Sequence, residues 1–300
     1  MDASPLVPSW CRDPRTRHLA AVGMVLIGSG LLHALVWALA GGPWEGPVTW
    51  RKPILFGVSG GLTALSLGWA WSKLPWRRGD AWLAAATAWA LAVEVGLIDL
   101  QRWRGVASHF NRGTPLDSFL YDLMGGLILG VTLVVVDLTI RFLLRPVGLT
   151  ADMLLAARAG LVLLAVSCLL GIWISVHGDL RVASGLPPET VGAAGVAKFP
   201  HGVAIHAVQW LPLVAWAARL GGLGDALRLR LVAAAAAGTT LVLGYSIVQT
   251  LAGRGRFDAT PTAAALLVVG AACVAVPTLV AFGAALRGWA RGDVAPAPPG

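Results

Sequence analysis

Residues 19–41 read LAAVGMVLIGSGLLHALVWALAG. The stretch carries no Asp, Glu, Lys or Arg and is longer than the ~20 apolar residues a helix needs to cross the hydrocarbon of a bilayer. Inside that hydrocarbon no water can satisfy backbone groups, so the run is expected to close its own hydrogen bonds as an α-helix. It also holds an ionisable side chain, His33. Intramembrane ionisable groups are costly and rare enough to be candidate functional groups by default.

Working outward, comparable runs follow at about 54–71, 81–99, 115–140, 153–176, 200–218, 231–251 and 262–286. The predicted fold class is all-α, a polytopic integral membrane bundle of about eight transmembrane helices. Composition agrees. Hydrophobic residues make up 57% of the chain and charged residues 13%, against about 25% charge in a soluble domain; mean hydropathy is +0.73. Three regions follow: a polar cytoplasmic lead-in at 1–18, an eight-span membrane domain at 19–287, and a tail at 288–300 (GWARGDVAPAPPG) whose composition predicts disorder. GGPWEG after the first run leads straight into the next span, so no cleavable leader is expected.

The net charge of +8 comes without a basic stripe or a recognition motif, which argues against nucleic acid and leaves the lipid bilayer as the expected partner. Of the 23 Lys and Arg residues, 14 fall on one set of connecting segments and 9 on the other. Basic residues favour the cytoplasmic side, so the prediction is N-in/C-in, as a multi-pass protein of the plasma membrane. Cys11, Cys168 and Cys273 are far apart and form no CxxC, so neither a disulfide framework nor a c-type haem attachment is expected.

Several helix ends are written locally. Thr114-Pro115-Leu116-Asp117 is a capping-box variant with proline at the first helical position. Thr260-Pro261 repeats the cap and proline, Thr150 precedes the fifth span in the same way, and Pro200 opens the sixth. Pro212 predicts a kink in that span. Glycines at 28, 30, 60, 61, 125, 126 and 130 mark sites of close helix approach. Asp137 is spaced to pair with Arg141 at i+4.

His33, His109, His177, His201 and His206 all fall on the predicted outer side. At 1.5 Å per residue, His33 lies about 12 Å below the outer boundary, Glu94 about 8 Å, Asp122 about 10 Å, His206 about 9 Å, Tyr245 about 9 Å and Gln249 about 3 Å. Imidazoles and carboxylates without thiols suit iron, copper or zinc. The function expected is therefore an integral membrane metal- or haem-dependent enzyme, a redox one, with its site in the outer half of the bundle. In one arrangement His33 and His206 ligate a haem b on both axial sides. In the other, His109, His201 and His206 with Glu94 or Asp122 bind a non-haem metal that polarises a substrate or activates water or oxygen. His201 and His206 are five residues apart, about 140° around a regular helix, so a joint role requires an irregular turn between them. Glu94 is the candidate ligand or general base, with Asp122 and Tyr245 as further catalytic candidates. Arg51, Lys52 and Arg104 are candidates for holding an anionic substrate or haem propionates. A small or lipid-like substrate would enter from the outer side. Two alternatives use the same residues: a proton-coupled transporter or permease, and a non-catalytic membrane sensor or assembly factor.

Overall fold

The computed structural model describes residues 9–145 and 147–291. It is all-helical apart from one two-stranded ribbon. After a 3-10 turn at Ser9–Arg12 the helices are α1 (Arg17–Ala40), α2 (Arg51–Lys73), α3 (Asp80–Trp103), α4 (Pro115–Leu144), α5 (Ala151–Ala183), α6 (Lys198–Ala204), α7 (Ala207–Leu220), α8 (Asp225–Leu251) and α9 (Pro261–Ala290). Strands β1 (Thr190–Val191) and β2 (Gly195–Val196) pair antiparallel between α5 and α6. Counting α6 and α7 as one interrupted span, eight helices among the described residues are long and apolar enough to cross a membrane. The lead-in at 1–8 and the tail at 292–300 lie outside the described residues; the rest of the expected tail continues α9 as far as Ala290.

The chain divides into two compact units, residues 1–138 and 139–300. In the first, α1 and α2 meet along glycines. A methyl on Gly61 would sit 2.5 Å from the Gly23 carbonyl oxygen, and one on Gly57 2.7 Å from the Gly30 Cα. The backbones touch because hydrogen is the only side chain that fits, the small-residue packing expected of membrane helices. Of the glycines singled out by sequence, Gly30 and Gly61 make such contacts, whereas Gly28, Gly125, Gly126 and Gly130 would meet nothing. Where α3 begins, Arg77 makes a two-pronged contact with Asp137 at 2.9 Å and also reaches buried Asp80. Asp137 is thus held by the α2–α3 loop, a partner that i+4 spacing does not suggest.

In the second unit a methyl on Gly160 of α5 would lie 2.7 Å from the Val208 Cα, and one on Gly238 of α8 2.7 Å from the Gly270 carbonyl of α9. Buried Asp152 at the start of α5 takes Arg219 at 3.0 Å and Arg228 at 3.1 Å. Thr150 makes no cap bond; its hydroxyl instead accepts from Arg219. Thr260 does cap α9, accepting from the Ala263 N–H at 3.4 Å. The sixth span opens at Lys198, two residues before Pro200, and its interruption falls at Ile205–His206 while α7 runs on through Pro212. Tertiary contacts from α5 flank the break. The His201 carbonyl accepts the Ser167 hydroxyl as well as the Ile205 N–H, and α5 crowds Val208.

Candidate functional site

The densest polar centre lies in the first unit, where α1 and α3 end and α2 and α4 begin. Its outer wall is a clamp. Asp117, in the first turn of α4, accepts Gln101 Nε2 at 3.0 Å, Arg104 at 2.8 Å and the Thr114 hydroxyl at 2.7 Å, and its own N–H donates to Thr114 Oγ1 at 3.1 Å. The threonine cap read from sequence is therefore present, with the Asp117 carboxylate bonded to the Thr114 hydroxyl, and Asp117 also ties the last turn of α3 to the first of α4. Arg104, expected to hold an anion, spends its charge on Asp117. Between them the chain makes a tight loop in which Phe110 adopts a left-handed φ of 55°, a conformation L residues other than glycine rarely take. Asn111 braces it, donating to the Ala107 carbonyl at 3.0 Å and accepting the Gly113 N–H at 3.1 Å. His109 bonds to Ser108 at 2.9 Å and packs near Phe56 and Tyr121.

His33, on α1, is fully engaged. Its Nδ1–H donates to the Ser29 carbonyl at 2.8 Å, and its Nε2 accepts the Trp103 indole N–H at 3.0 Å. Trp50 meets Trp103 edge-on at 5.2 Å, and the Arg102 guanidinium lies 3.9 Å above the Trp50 ring. For Nε2 of His33 to bind a haem iron, Trp103 would first have to leave. Ser29 also donates its hydroxyl to Asp99 Oδ2 at 2.9 Å, while Asp99 Oδ1 is buried without a partner among the described residues. Asp99 and Ser29 did not stand out in the sequence; their signal was a polar residue at each of two span positions that only the fold brings together.

Glu94 lies one to two turns deeper on α3. It is 7% exposed and shares the buried face of that helix with Leu91, Val95 and Ile98. Among the described residues it makes no hydrogen bond or ion pair, in contrast to the saturated Asp117. Asp122, placed by sequence at the same depth, is instead an exposed residue of α4 in an ion pair with Arg112 at 3.0 Å. Arg112 in turn covers Tyr121. The correction is rotational, because depth along a helix does not say which face a residue occupies. Arg51 is partly buried at the start of α2, and Lys52 donates to the Pro47 carbonyl at 3.3 Å.

The other candidates belong to the second unit. Tyr245 is completely buried and donates its hydroxyl to the Arg256 carbonyl; Gln249 donates to the Gly255 and Asp258 carbonyls at 3.1 and 2.8 Å. Both pin the α8–α9 loop. His177 donates from Nε2 to the Thr190 carbonyl at 3.0 Å, holding the β-ribbon. His201 donates from Nδ1 to the Ser167 carbonyl at 2.8 Å. His206 is exposed at the helix break, 3.3 Å from Gln209 Oε1, and lines a cleft of about 470 Å³ with Trp210, Thr239 and Leu267. Among the described residues no three His, Cys, Asp or Glu side chains gather into one group.

Comparison with family models, with curated proteins and with solved structures yields no match.

Proposed function

We propose that this chain is a multi-pass membrane protein of the proton-coupled transporter or permease class, and that Glu94 is the group that takes up and releases the proton. One observation carries the reading: a carboxyl inside an apolar helix face with no hydrogen bond and no counter-charge among the described residues. An ionised carboxylate in such a place costs far more than a neutral acid, so a change in its surroundings is coupled to a proton. Asp99, with one oxygen bound to Ser29 and the other unpartnered, is the nearest carboxyl toward the helix end on α3 and the natural exchange partner. With the amino terminus inside, as the charge bias predicts, this end of the first unit faces outward.

Infrared difference spectroscopy of the full chain in lipid tests this directly. A protonated-carboxyl band that shifts in deuterated buffer and vanishes in Glu94→Gln is expected. A spectrum unchanged by that substitution across the accessible pH range would overturn the assignment.

A second reading, the metal- or haem-dependent redox enzyme, is favoured by the second unit. The irregular turn that a joint role of His201 and His206 requires is present at Ile205–His206. The Ser167 carbonyl holds Nδ1 of His201 at 2.8 Å, the contact by which backbone carbonyls orient metal-bound imidazoles, and it leaves Nε2 for a ligand. A bound metal or haem would supply redox or Lewis-acid chemistry beside the cleft, and His201 and His206 are the residues to hold it. Visible absorption and elemental analysis of the purified protein decide this. A signal lost in His206→Ala supports it, and absence of iron, copper and zinc from protein purified without chelators counts against it.

A further inference from the structure

We propose that a small pocket beneath the α1–α2 loop is a binding site for a monovalent inorganic anion of halide size. This goes beyond the proton reading and does not depend on it. The pocket has a volume of about 10 Å³ and is lined by Thr49, Lys52, Arg102 and Ser108 together with apolar residues such as Pro47 and Ile98. A space of that size holds one water-sized occupant, so polyatomic substrates are too large.

Three features select an anion. The first is charge. Two of the lining side chains are cations and none is a carboxylate. Arg102 has no acidic partner among the described residues; its guanidinium lies over the Trp50 ring at 3.9 Å, which holds the group without neutralising it. Lys52 adds a second positive charge from the first turn of α2, where the helix dipole is also positive. The second is the pair of unmet polar groups. Thr49 is 1% exposed and its hydroxyl has no partner among the described residues, and the same holds for the buried Nε–H of Arg102. Both belong to side chains lining the pocket, and both are hydrogen-bond donors that an anion there would satisfy. The third is the surrounding dielectric. Pro47, Val48, Ile98 and Val106 line the rest of the pocket, and their apolar atoms lower the local dielectric, which strengthens any charge-assisted bond formed there. A water molecule would meet the two donors but would leave the Arg102 guanidinium, which has no acidic partner among the described residues, without a counter-charge.

Bound there, the anion links the loop before α2 to the last turn of α3. It therefore stabilises the end of the first unit that carries Trp50, Trp103 and His33. The clamp around Asp117 does not share these residues.

The test uses the full chain in detergent, with thermal unfolding followed in sodium bromide and in sodium gluconate at equal ionic strength. A saturable rise of roughly 3 to 5 °C in bromide over gluconate is expected at ten times the dissociation constant. It should be lost in Arg102→Gln and in Thr49→Val. Thr49→Val keeps the shape of the side chain and serves if the arginine variant does not fold. Anomalous diffraction from bromide-soaked crystals should place the ion between Thr49 and Arg102. Equal midpoints in the two salts, a rise that survives Thr49→Val, or a pocket holding water and no bromide would each overturn the proposal.

Discussion

A buried carboxyl that holds the fold together and one kept for proton exchange respond oppositely to removal, and Glu94 can be sorted by replacing it with Met, Gln and Ala. Glu94 is 7% exposed and has no partner among the described residues, so the wild-type chain bears the cost of an unmet polar group, about 1–3 kcal/mol in a protein interior. Met keeps the length and fills the same space with apolar atoms. Glu94→Met is therefore expected to stabilise the chain by about 1–3 kcal/mol. Gln keeps one polar head and is expected to fall within about 1 kcal/mol of wild type. Ala gains the same polar relief but opens a cavity and loses the aliphatic stem, which costs about 2–5 kcal/mol, so a net loss of about 1–2 kcal/mol is expected. The assay is unfolding in mixed micelles titrated with a denaturing detergent, with Trp fluorescence and helicity followed together. The expected order is Met above Glu, Glu close to Gln, and Ala lowest. If Met and Gln both lose 2 kcal/mol or more, the carboxyl is bonded in the folded chain, and the assignment of Glu94 as a free proton site falls with it. The same stabilised Met variant should lack the protonated-carboxyl band, which is the exchange of function for stability seen when a strained functional group is removed.

Other predictions rest on geometry elsewhere. Asp117→Ala removes the acceptor shared by Gln101, Arg104 and Thr114 and should cost about 2–4 kcal/mol, since the Gln101 amide is left buried without its partner; the same micellar unfolding measures it, and a loss under 1 kcal/mol would show the clamp to be dispensable. Gly61→Val drives side-chain atoms into the Gly23 carbonyl and should cost several-fold more stability than Gly28→Val, whose methyls meet open space; equal effects would mean that α1 and α2 do not cross at these glycines. Asp13 lies before the first span, and its hydrogen bonds from Arg15 hold its carboxyl below the usual carboxylate range. A depressed folded-state value means that its stabilising effect is present above the unfolded value, near pH 4, and is lost as pH falls through the folded one. Asp13→Asn should therefore flatten the acid limb of a stability-against-pH curve, and a steeper limb would contradict the pairing.

The helices were legible because each is specified by local information, namely an uninterrupted apolar run and, at Pro115 and Pro261, a threonine cap with proline after it. The break in the sixth span was not legible, because Ile205 and His206, where it falls, are neither glycine nor proline and carry no local breaking signal. Pro212, the local signal for a kink, sits inside a continuous helix. Packing glycines show the same limit. Gly28 and Gly30 look alike in sequence, yet only Gly30 faces α2, since two residues along a helix turn the side chain through about 200°. The rotation that separates those glycines also separates Glu94 from Asp122, two carboxylates at similar depth of which one is buried and the other exposed.

The histidines make the functional consequence plain. Counting imidazoles inside spans treats each as a cost awaiting an explanation, and metal ligation is an efficient one. In the folded chain His33, His177 and His201 each donate to a backbone carbonyl, a partner every helix or loop can supply and no sequence pattern announces. For His33 the second nitrogen is also met, by an indole 70 residues away. An imidazole can be made neutral and satisfied in this way because it carries both a donor and an acceptor. An ionised carboxylate carries only acceptors, and the N–H donors of a helix interior are already spent on its own ladder. A carboxyl in a span is therefore the harder group to satisfy internally. Asp117 succeeds because it sits in the first turn, within reach of Thr114, Gln101 and Arg104, whereas Glu94 lies more than a turn below any such donor. The weight that sequence places on the histidine count thus moves, once partners are visible, to Glu94, a buried acid within a span that has no partner among the described residues.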